Sequence, residues 1–405
     1  MNGLKVEKVL LSKEGIIMKE IHAIDLFSGA GGLSYGFEQA GCVVDLAIEK
    51  DAWAVETYKA NHINKNIIEV DINELDDVFF EKYRNKVDIV MGGPPCQGFS
   101  IAASNRRKKD DVRNILYKQF LRVVNVVQPK VVLLENVKEI VNYKLPDGTK
   151  IVDDIKSFLT SLGYSFDYTI LNCRNYGIPQ DRRRFFFIAV KGKRRFKIET
   201  MMDRYITKEI SFYEAMSDLP VVKPKQYPED SILKYTVEPQ NEYQRIMRKN
   251  ADMLYNHIPM QHTDKTVEKF AFLLQNNGIE LPEDLKPRVR GNVDVVSISK
   301  YSQNHRIIDG KKVSPTITAS FYSSFIHPNQ PRNITVREAA RMQTFPDNFV
   351  FKGKKTTLSK KLLEKKGIFE ELHLDQFNQV GNAVPPVMAQ HLAEICCKLI
   401  KGGVE

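Results

Sequence analysis

Between residues 21 and 190, short apolar runs alternate with longer stretches of helical periodicity, and this alternation restricts the fold more than any other feature of the chain. The runs lie at 23–26, 43–48, 67–70, 87–91, 131–134, 166–171 and 185–190. Four to six nearly continuous apolar residues, rich in β-branched and aromatic side chains, suit strands buried on both faces. Helical patterns fall between them, for example at 52–61, 112–127 and 151–162. Strand, helix and strand in succession predict an α/β fold with a doubly wound parallel sheet.

After about Lys191 the alternation stops. Pro220, Pro224, Pro228, Pro239, Pro259, Pro282 and Pro287 punctuate a polar, tyrosine-rich stretch, which predicts a second, smaller domain of irregular architecture. The expected division is an N-terminal extension at 1–20, a large domain at 21–192, a small domain at 193–335, and a C-terminal portion at 336–405. Helical pattern returns at 336–343. The closing amphipathic stretch 387–400 is expected to carry 379–405 back onto the large domain. The lysine-rich stretch 351–375 reads as a helical insertion.

Charge and cysteine usage narrow the function. Among 405 residues, 60 Lys and Arg face 50 Asp and Glu, a net +10 compatible with a polyanionic partner. Basic residues gather at Arg106, Arg107, Lys108, Lys109 and Arg113, and again at 182–184 and 191–195, although a solvated face would read the same way. The five cysteines form no CxxC pair and have no histidines at zinc spacing, so neither a disulfide framework nor a structural metal is expected. Without a signal-peptide run or about 20 consecutive apolar residues, the chain is expected to be intracellular, cytoplasmic and free of membrane.

Three strand ends offer polar groups to one ligand. The loop Asp25-Leu26-Phe27-Ser28-Gly29-Ala30-Gly31-Gly32-Leu33 follows the first strand and opens a helix, so its glycines bring backbone N–H groups close to a bound molecule. Glu49 ends the second strand 20 residues after Gly29, a spacing that suits a ribose hydroxyl pair. Asp71 is expected to end the third strand and to accept from an exocyclic amine, with helix capping as the alternative for both acids. No GxxxxGK[ST] phosphate cradle is present, so a nucleoside without a triphosphate fits best. Past the fourth run, Gly92-Gly93-Pro94-Pro95-Cys96-Gln97-Gly98-Phe99-Ser100 presents a cysteine on a stiff turn. A buried structural thiol is the alternative for Cys96.

These segments occur in order with Glu135-Asn136-Val137, Gln180-Asp181-Arg182-Arg183-Arg184, the stretch 337–347 (REAARMQTFPD) and the stretch 379–386 (QVGNAVPP). As an ordered set spanning 22–390, they resemble the DNA (cytosine-5)-methyltransferases. The resemblance implies a Rossmann-like domain that binds S-adenosylmethionine and a small target-recognition domain. It also implies methyl transfer to carbon 5 of a flipped-out cytosine in double-stranded DNA. The cofactor contacts expected on this basis are Asp25, Phe27, Ser28, Gly29, Gly31, Gly32, Leu33, Glu49, Lys50, Asp71, Ile72, Pro94, Asn382 and Ala383. DNA is expected at Gln97, Ser100, Ser104, Arg106 and Arg113.

Carbon 5 of cytosine is a poor nucleophile, and a thiolate adding at carbon 6 activates it. Cys96 is the expected nucleophile, with Arg182 or Arg184 favouring its anion and Arg182 ordering its loop. Glu135 would hold the base at N3 and the exocyclic amine and protonate N3, while Arg184 would meet O2. Structural ion pairing is the alternative for Glu135, and an edge-strand charge pattern for the arginines. Arg337 and Gln343 read as supports of the small domain. Arg288, Arg290, Gln303, Asn304, His305 and Arg306 could read base edges or simply bind phosphate. A monomer is expected, nucleoid-associated, with any restriction endonuclease on a separate chain. Competing readings are a tRNA-methylating enzyme of the same family, an idle DNA-binding regulator and a nicotinamide oxidoreductase.

Overall fold

A computed structural model of the chain describes residues 20–95, 116–278, 280–286, 288–289, 292–296, 305–319, 321–358 and 360–402. Seven strands form the main sheet: β1 His22–Leu26, β2 Val43–Glu49, β3 Ile67–Glu69, β4 Ile89–Gly92, β5 Val131–Val137, β6 Tyr164–Asn172 and β7 Arg183–Lys191. Their spatial order is β3-β2-β1-β4-β5-β7-β6. The chain therefore winds one way from β1 to β3 and the other way from β4 onward.

The sheet is not wholly parallel, which corrects the expectation from sequence. β7 runs antiparallel to both β5 and β6. An apolar run reports burial on both faces but not direction, and direction is set by the connection. Only residues 173–182 join β6 to β7, with a single 3-10 turn at Cys173–Tyr176, too short for the crossover that parallel strands require.

Alternate residues of each strand feed two cores. Phe185, Phe187 and Ala189 of β7 pack on one face, and Phe186, Ile188 and Val190 on the other. The first face is covered by α4 (Leu116–Val127) and α5 (Ile151–Ser161), which contribute Phe120, Leu121, Val124, Ile155 and Leu159. The opposite face is covered by α1 (Gly32–Gln39) and the closing helix Pro386–Ile400, through Leu33, Phe37, Met388, Leu392, Ile395 and Leu399. Each such side chain, fully buried, contributes about 1.5–3 kcal/mol.

A third core joins Phe212, Met216, Tyr243, Leu254, Ile317, Phe321, Phe345, Phe349 and Phe377 around the helix Val336–Met342. Charges are buried inside it in matched sets. Arg341 binds Asp218 and Asp347, all three fully buried, and Arg332 makes a two-pronged pair with Glu338 at 2.8 and 2.7 Å. Glu338 also completes a capping box with Thr335. The stretch 351–375 is not a helical insertion as a whole. Among the described residues only Lys360–Lys366 is helical, and the rest is loop fastened to α2 (Ala52–Asn61) and its cap. Lys352 N–H donates to Thr57 Oγ1 at 2.8 Å, and Leu374 N–H donates to Asp51 Oδ2 at 2.7 Å. Among the described residues no helix is long and apolar enough to cross a membrane.

The closing helix sits unusually close to α1. A Cβ on Gly36 would lie 2.4 Å from Ala389 Cβ and 2.5 Å from Pro386 O. Gly36→Ala is therefore expected to force the two helices apart and lower stability by about 1–3 kcal/mol, measured as a shift in the urea midpoint. An unchanged midpoint would mean that the helices do not rely on this contact.

Candidate active site

The strand order reverses between β1 and β4, and in open α/β sheets the crevice beyond such a switch point is where ligands bind. Both lips of this crevice are glycine-rich. Leu26 of β1 lies beside Gly92 of β4, and a Cβ on Gly92 would strike Leu26 O at 2.3 Å. Beyond β1, Phe27, Gly29 and Gly31 all take positive φ. Gly31, with φ +92, has no room for a side chain, because a Cβ would meet His62 Nε2. Gly29 instead has none of the described residues within 4 Å of a Cβ. Its N–H donates to Glu49 Oε2 at 2.9 Å.

Among the described residues, polar atoms without partners surround this loop. Asp25 is fully buried, accepts from Ser34 Oγ at 2.6 Å through Oδ2, and leaves Oδ1 unpaired. Ser28 Oγ is likewise buried without a partner. Burial pushes the Asp25 carboxyl up to about 7, against the opposing pull of the Ser34 hydrogen bonds. Glu49 collects three backbone N–H groups, from Gly29, Lys50 and Asp51, each at 2.9 Å. A carboxylate has about four acceptor sites, so one is left for a ligand hydroxyl. Burial raises the pKa of Glu49, and its backbone hydrogen bonds oppose the rise.

Asp71 lies two residues beyond the end of β3 rather than closing that strand. It caps the 3-10 turn Ile72–Glu74, accepts from Asn73 N at 3.0 Å and meets Lys50 Nζ at 3.4 Å. The side chains of Leu33 and Ile72 turn into the two cores, and Ile72 O accepts from Arg122 at 3.2 Å. A buried acid, open glycines and unpaired oxygens at a switch point suit a nucleoside, and the residues present fit one.

The other lip leads from β4 through Gly93, Pro94 and Pro95, and the next residue is Cys96. Cys96, Gln97, Ser100, Ser104, Arg106 and Arg113 lie outside the described residues. The neighbouring strand reaches this turn. Asn136 Nδ2 donates to Pro94 O at 3.0 Å, a tether that the sequence reading missed although the residue stands inside a recognised motif. Glu135 is buried, and a Cβ on Gly93 would lie 3.0 Å from its Oε2. Arg184 Nε stands 3.3 Å from Glu135 Oε1, so the reversal of β7 brings the start of that strand to the end of β5. Burial raises the pKa of Glu135, and Arg184 and then Arg182 pull it back.

Arg182 reaches the C-terminal part of the chain. It is buried, and it donates to Ile317 O at 2.8 Å, Gly381 O at 3.1 Å and Ala383 O at 3.0 Å. Among the described residues it therefore orders the C-terminal motif, and its Nε–H has no partner there; the Cys96 loop it was expected to order lies outside the described residues. Burial and the neighbouring Arg184 push its pKa down to about 9. Gln180 and Gln343 share this junction. Gln180 Nε2 donates to Gln343 Oε1 at 2.9 Å, and Gln343 Nε2 donates to Val380 O at 2.9 Å. Gln343 thus joins the C-terminal motif to the link before β7, whereas Arg337 braces a loop by donating to Tyr255 O, Pro346 O and Phe349 O.

Asn382 is exposed and ends the helix Gln376–Asn382. Ala383 and Val384 press on Gly32 at the start of α1, where a Cβ would lie 2.3 Å from Val384 O. Of the residues considered as base readers, Arg290, Gln303 and Asn304 lie outside the described residues. Arg288 pairs with Glu283, His305 Nδ1 meets Lys269 Nζ at 3.0 Å, and Arg306 lies over the Phe325 ring.

Comparison with known proteins settles the family. The model of the C-5 cytosine-specific DNA methylase family matches residues 21–398. The chain belongs to this family. It is a DNA cytosine-5-methyltransferase of the restriction-modification type. It is 42% identical over 378 residues to the type II methyltransferase M.DdeI of Desulfomicrobium norvegicum, covering 92% of this chain and 88% of that one. It is 34% identical over 399 residues to M1.HphI of Haemophilus parahaemolyticus, covering 97% and 91%. A solved structure of a DNA modification methyltransferase encoded within an E. coli prophage superposes with a TM-score of 0.68 at 25% identity, over 94% of this chain and all of that one. The S. pombe Dnmt2 methyltransferase shares the fold, with a TM-score of 0.57 at 17% identity over 94% of this chain and 99% of that one.

Asp25 gives this methyltransferase a testable pH signature. Its folded pKa of about 7 stands above its ordinary value of 3.8, so between these limits the folded state holds a proton that the unfolded state has lost. Stability from this group is therefore intact below about pH 4 and falls by up to about 1.4 kcal/mol per unit as pH rises towards 7. Asp25→Asn keeps an acceptor for Ser34 and does not titrate. Its stability relative to wild type is expected to improve by about 2 kcal/mol between pH 5 and pH 8, read by urea denaturation. A constant difference across that range would show that Asp25 is ionised throughout.

Proposed function

We propose that this methyltransferase acts as a monomer on one short sequence in double-stranded DNA, through a covalent adduct between Cys96 and a cytosine flipped out of the helix. The observation that carries the reading is the pair of buried Glu135 with half-buried Arg184, the carboxyl set against Gly93 three residues before Cys96. A duplex hides carbon 6 of its cytosines in the stack, so flipping, at a cost of a few kcal/mol, must come first. Bound at the switch point by the glycine loop, Glu49 and the Lys50–Asp71 turn, S-adenosylmethionine would supply an electrophilic methyl group.

The chain's own residues perform the remaining steps. The Cys96 thiolate adds to carbon 6, and Glu135 delivers a proton to N3, so that carbon 5 becomes nucleophilic. Burial of Glu135 favours its neutral form, the form that can give a proton. Arg184 fixes the carboxyl by ion pairing and has donors left for the cytosine O2. Asn136 holds Pro94 and with it the turn that presents the thiol. Once carbon 5 is methylated, a base removes its proton and the thiolate leaves. Arg182 orders the cofactor side through Gly381 and Ala383. The region 193–335 would read the target, with Gln97, Ser100, Ser104, Arg106 and Arg113 closing over the flipped base.

Incubation of a duplex library with the protein and S-adenosylmethionine, followed by bisulfite sequencing, is expected to reveal cytosine methylation within one motif. Methylation of tRNA with none on duplex DNA would overturn this reading. Cys96→Ser is expected to abolish turnover while leaving cofactor binding by calorimetry intact, and a near-normal rate would exclude the covalent route. Glu135→Gln is expected to lower kcat by about 10² to 10⁴, the range of general-acid assistance. A loss below threefold would remove Glu135 from the proton transfer.

A further inference from the structure

Cys42 and Cys397 are 355 positions apart in sequence, yet their Sγ atoms stand 3.5 Å apart. Cys42 lies just before β2, and Cys397 lies on the last turn of the closing helix. Neither residue belongs to the catalytic machinery. Cys42 is buried, Cys397 is half-buried, and the adjacent Cys396 points fully into the core. Two sulfurs in van der Waals contact need to close by only about 1.5 Å to reach the 2.03–2.05 Å of a disulfide.

We propose that Cys42 and Cys397 form a reversible dithiol–disulfide site, oxidised by peroxides, that locks the closing helix to the sheet. The two thiols are unequal in a way that orders the chemistry. The hydrogen bond from Cys42 and then the charge of Lys401 lower the pKa of Cys397, whereas the same hydrogen bond and burial raise that of Cys42. Cys397 is also the more accessible, so it attacks first. Its thiolate takes one peroxide oxygen, the O–O bond breaks, and hydroxide leaves a sulfenic acid on Cys397. That hydroxide removes the Cys42 proton as water. The Cys42 thiolate then attacks the Cys397 sulfur, the S–S bond forms, the S–O bond breaks, and the departing hydroxide takes up a proton as the second water. The net reaction oxidises two thiols to one disulfide and reduces one peroxide to two waters. A dithiol reductant reverses it by exchange.

The test uses the full chain, treated with hydrogen peroxide, alkylated without reduction and mapped by mass spectrometry. The expected result is loss of two alkylatable thiols at Cys42 and Cys397, appearance of one linked peptide pair, and recovery of both thiols with dithiothreitol. Cys396→Ser should keep the link, and Cys42→Ser and Cys397→Ser should each abolish it. Because the wild-type map decides alone, a variant that folds poorly does not cloud the result. Oxidation of Cys96 with Cys42 and Cys397 still free, or a link through Cys396, would overturn the proposal.

Discussion

The guanidinium of Arg182 holds the molecule's parts in register. It is buried without a carboxylate partner among the described residues, a costly state for a charge. Three carbonyl oxygens share it, one from Ile317 in the small region and two from Gly381 and Ala383 in the C-terminal motif. Each therefore has to stand where Arg182 can reach it. Arg182 immediately precedes β7, whose first residues carry Arg184 to Glu135. The Glu135–Arg184 pair and the edge of the switch-point crevice are thus referred to one side chain. Gln180 and Gln343 make the junction specific, since each amide spends both its donor and its acceptor, or two donors, on groups from another segment.

Close backbone approach is the second device. At Gly32, Gly36 and Gly381 a single Cβ would collide with Val384 O, Ala389 and Thr318 O. The glycine-rich appearance of the first loop therefore has two causes. Gly29 and Gly31 serve backbone conformation and access, whereas Gly32 and Gly36 make room for a helix that arrives 350 residues later.

Much of the fold was legible because burial leaves a mark on every strand, and the runs 23–26, 43–48 and 185–190 fall inside β1, β2 and β7. The direction of β7 left no such mark and had to be inferred from the ten-residue link before it. At the site, Glu49 was legible from spacing, and Glu135 and Arg184 from ordered motifs. Asp71 was misplaced by two residues because Val70 extends the apolar run, and still bonds to Glu49 O, beyond Glu69, the last residue of β3. The partners of Arg182, Asn136 and Gln343 were hidden for a different reason. Each acts on main-chain oxygens, and a carbonyl has no letter in the sequence.

The closing helix has a consequence for how the chain is made. One whole face of the sheet, including Ala23, Val44, Ile89, Leu133 and Ile188, is roofed by α1 together with residues 388–399. During synthesis the sheet emerges before residues 388–399. Until those residues have packed down, part of that face stays open to chaperones or to other nascent chains. The first strands therefore complete their packing only with a segment made after all seven strands of the sheet.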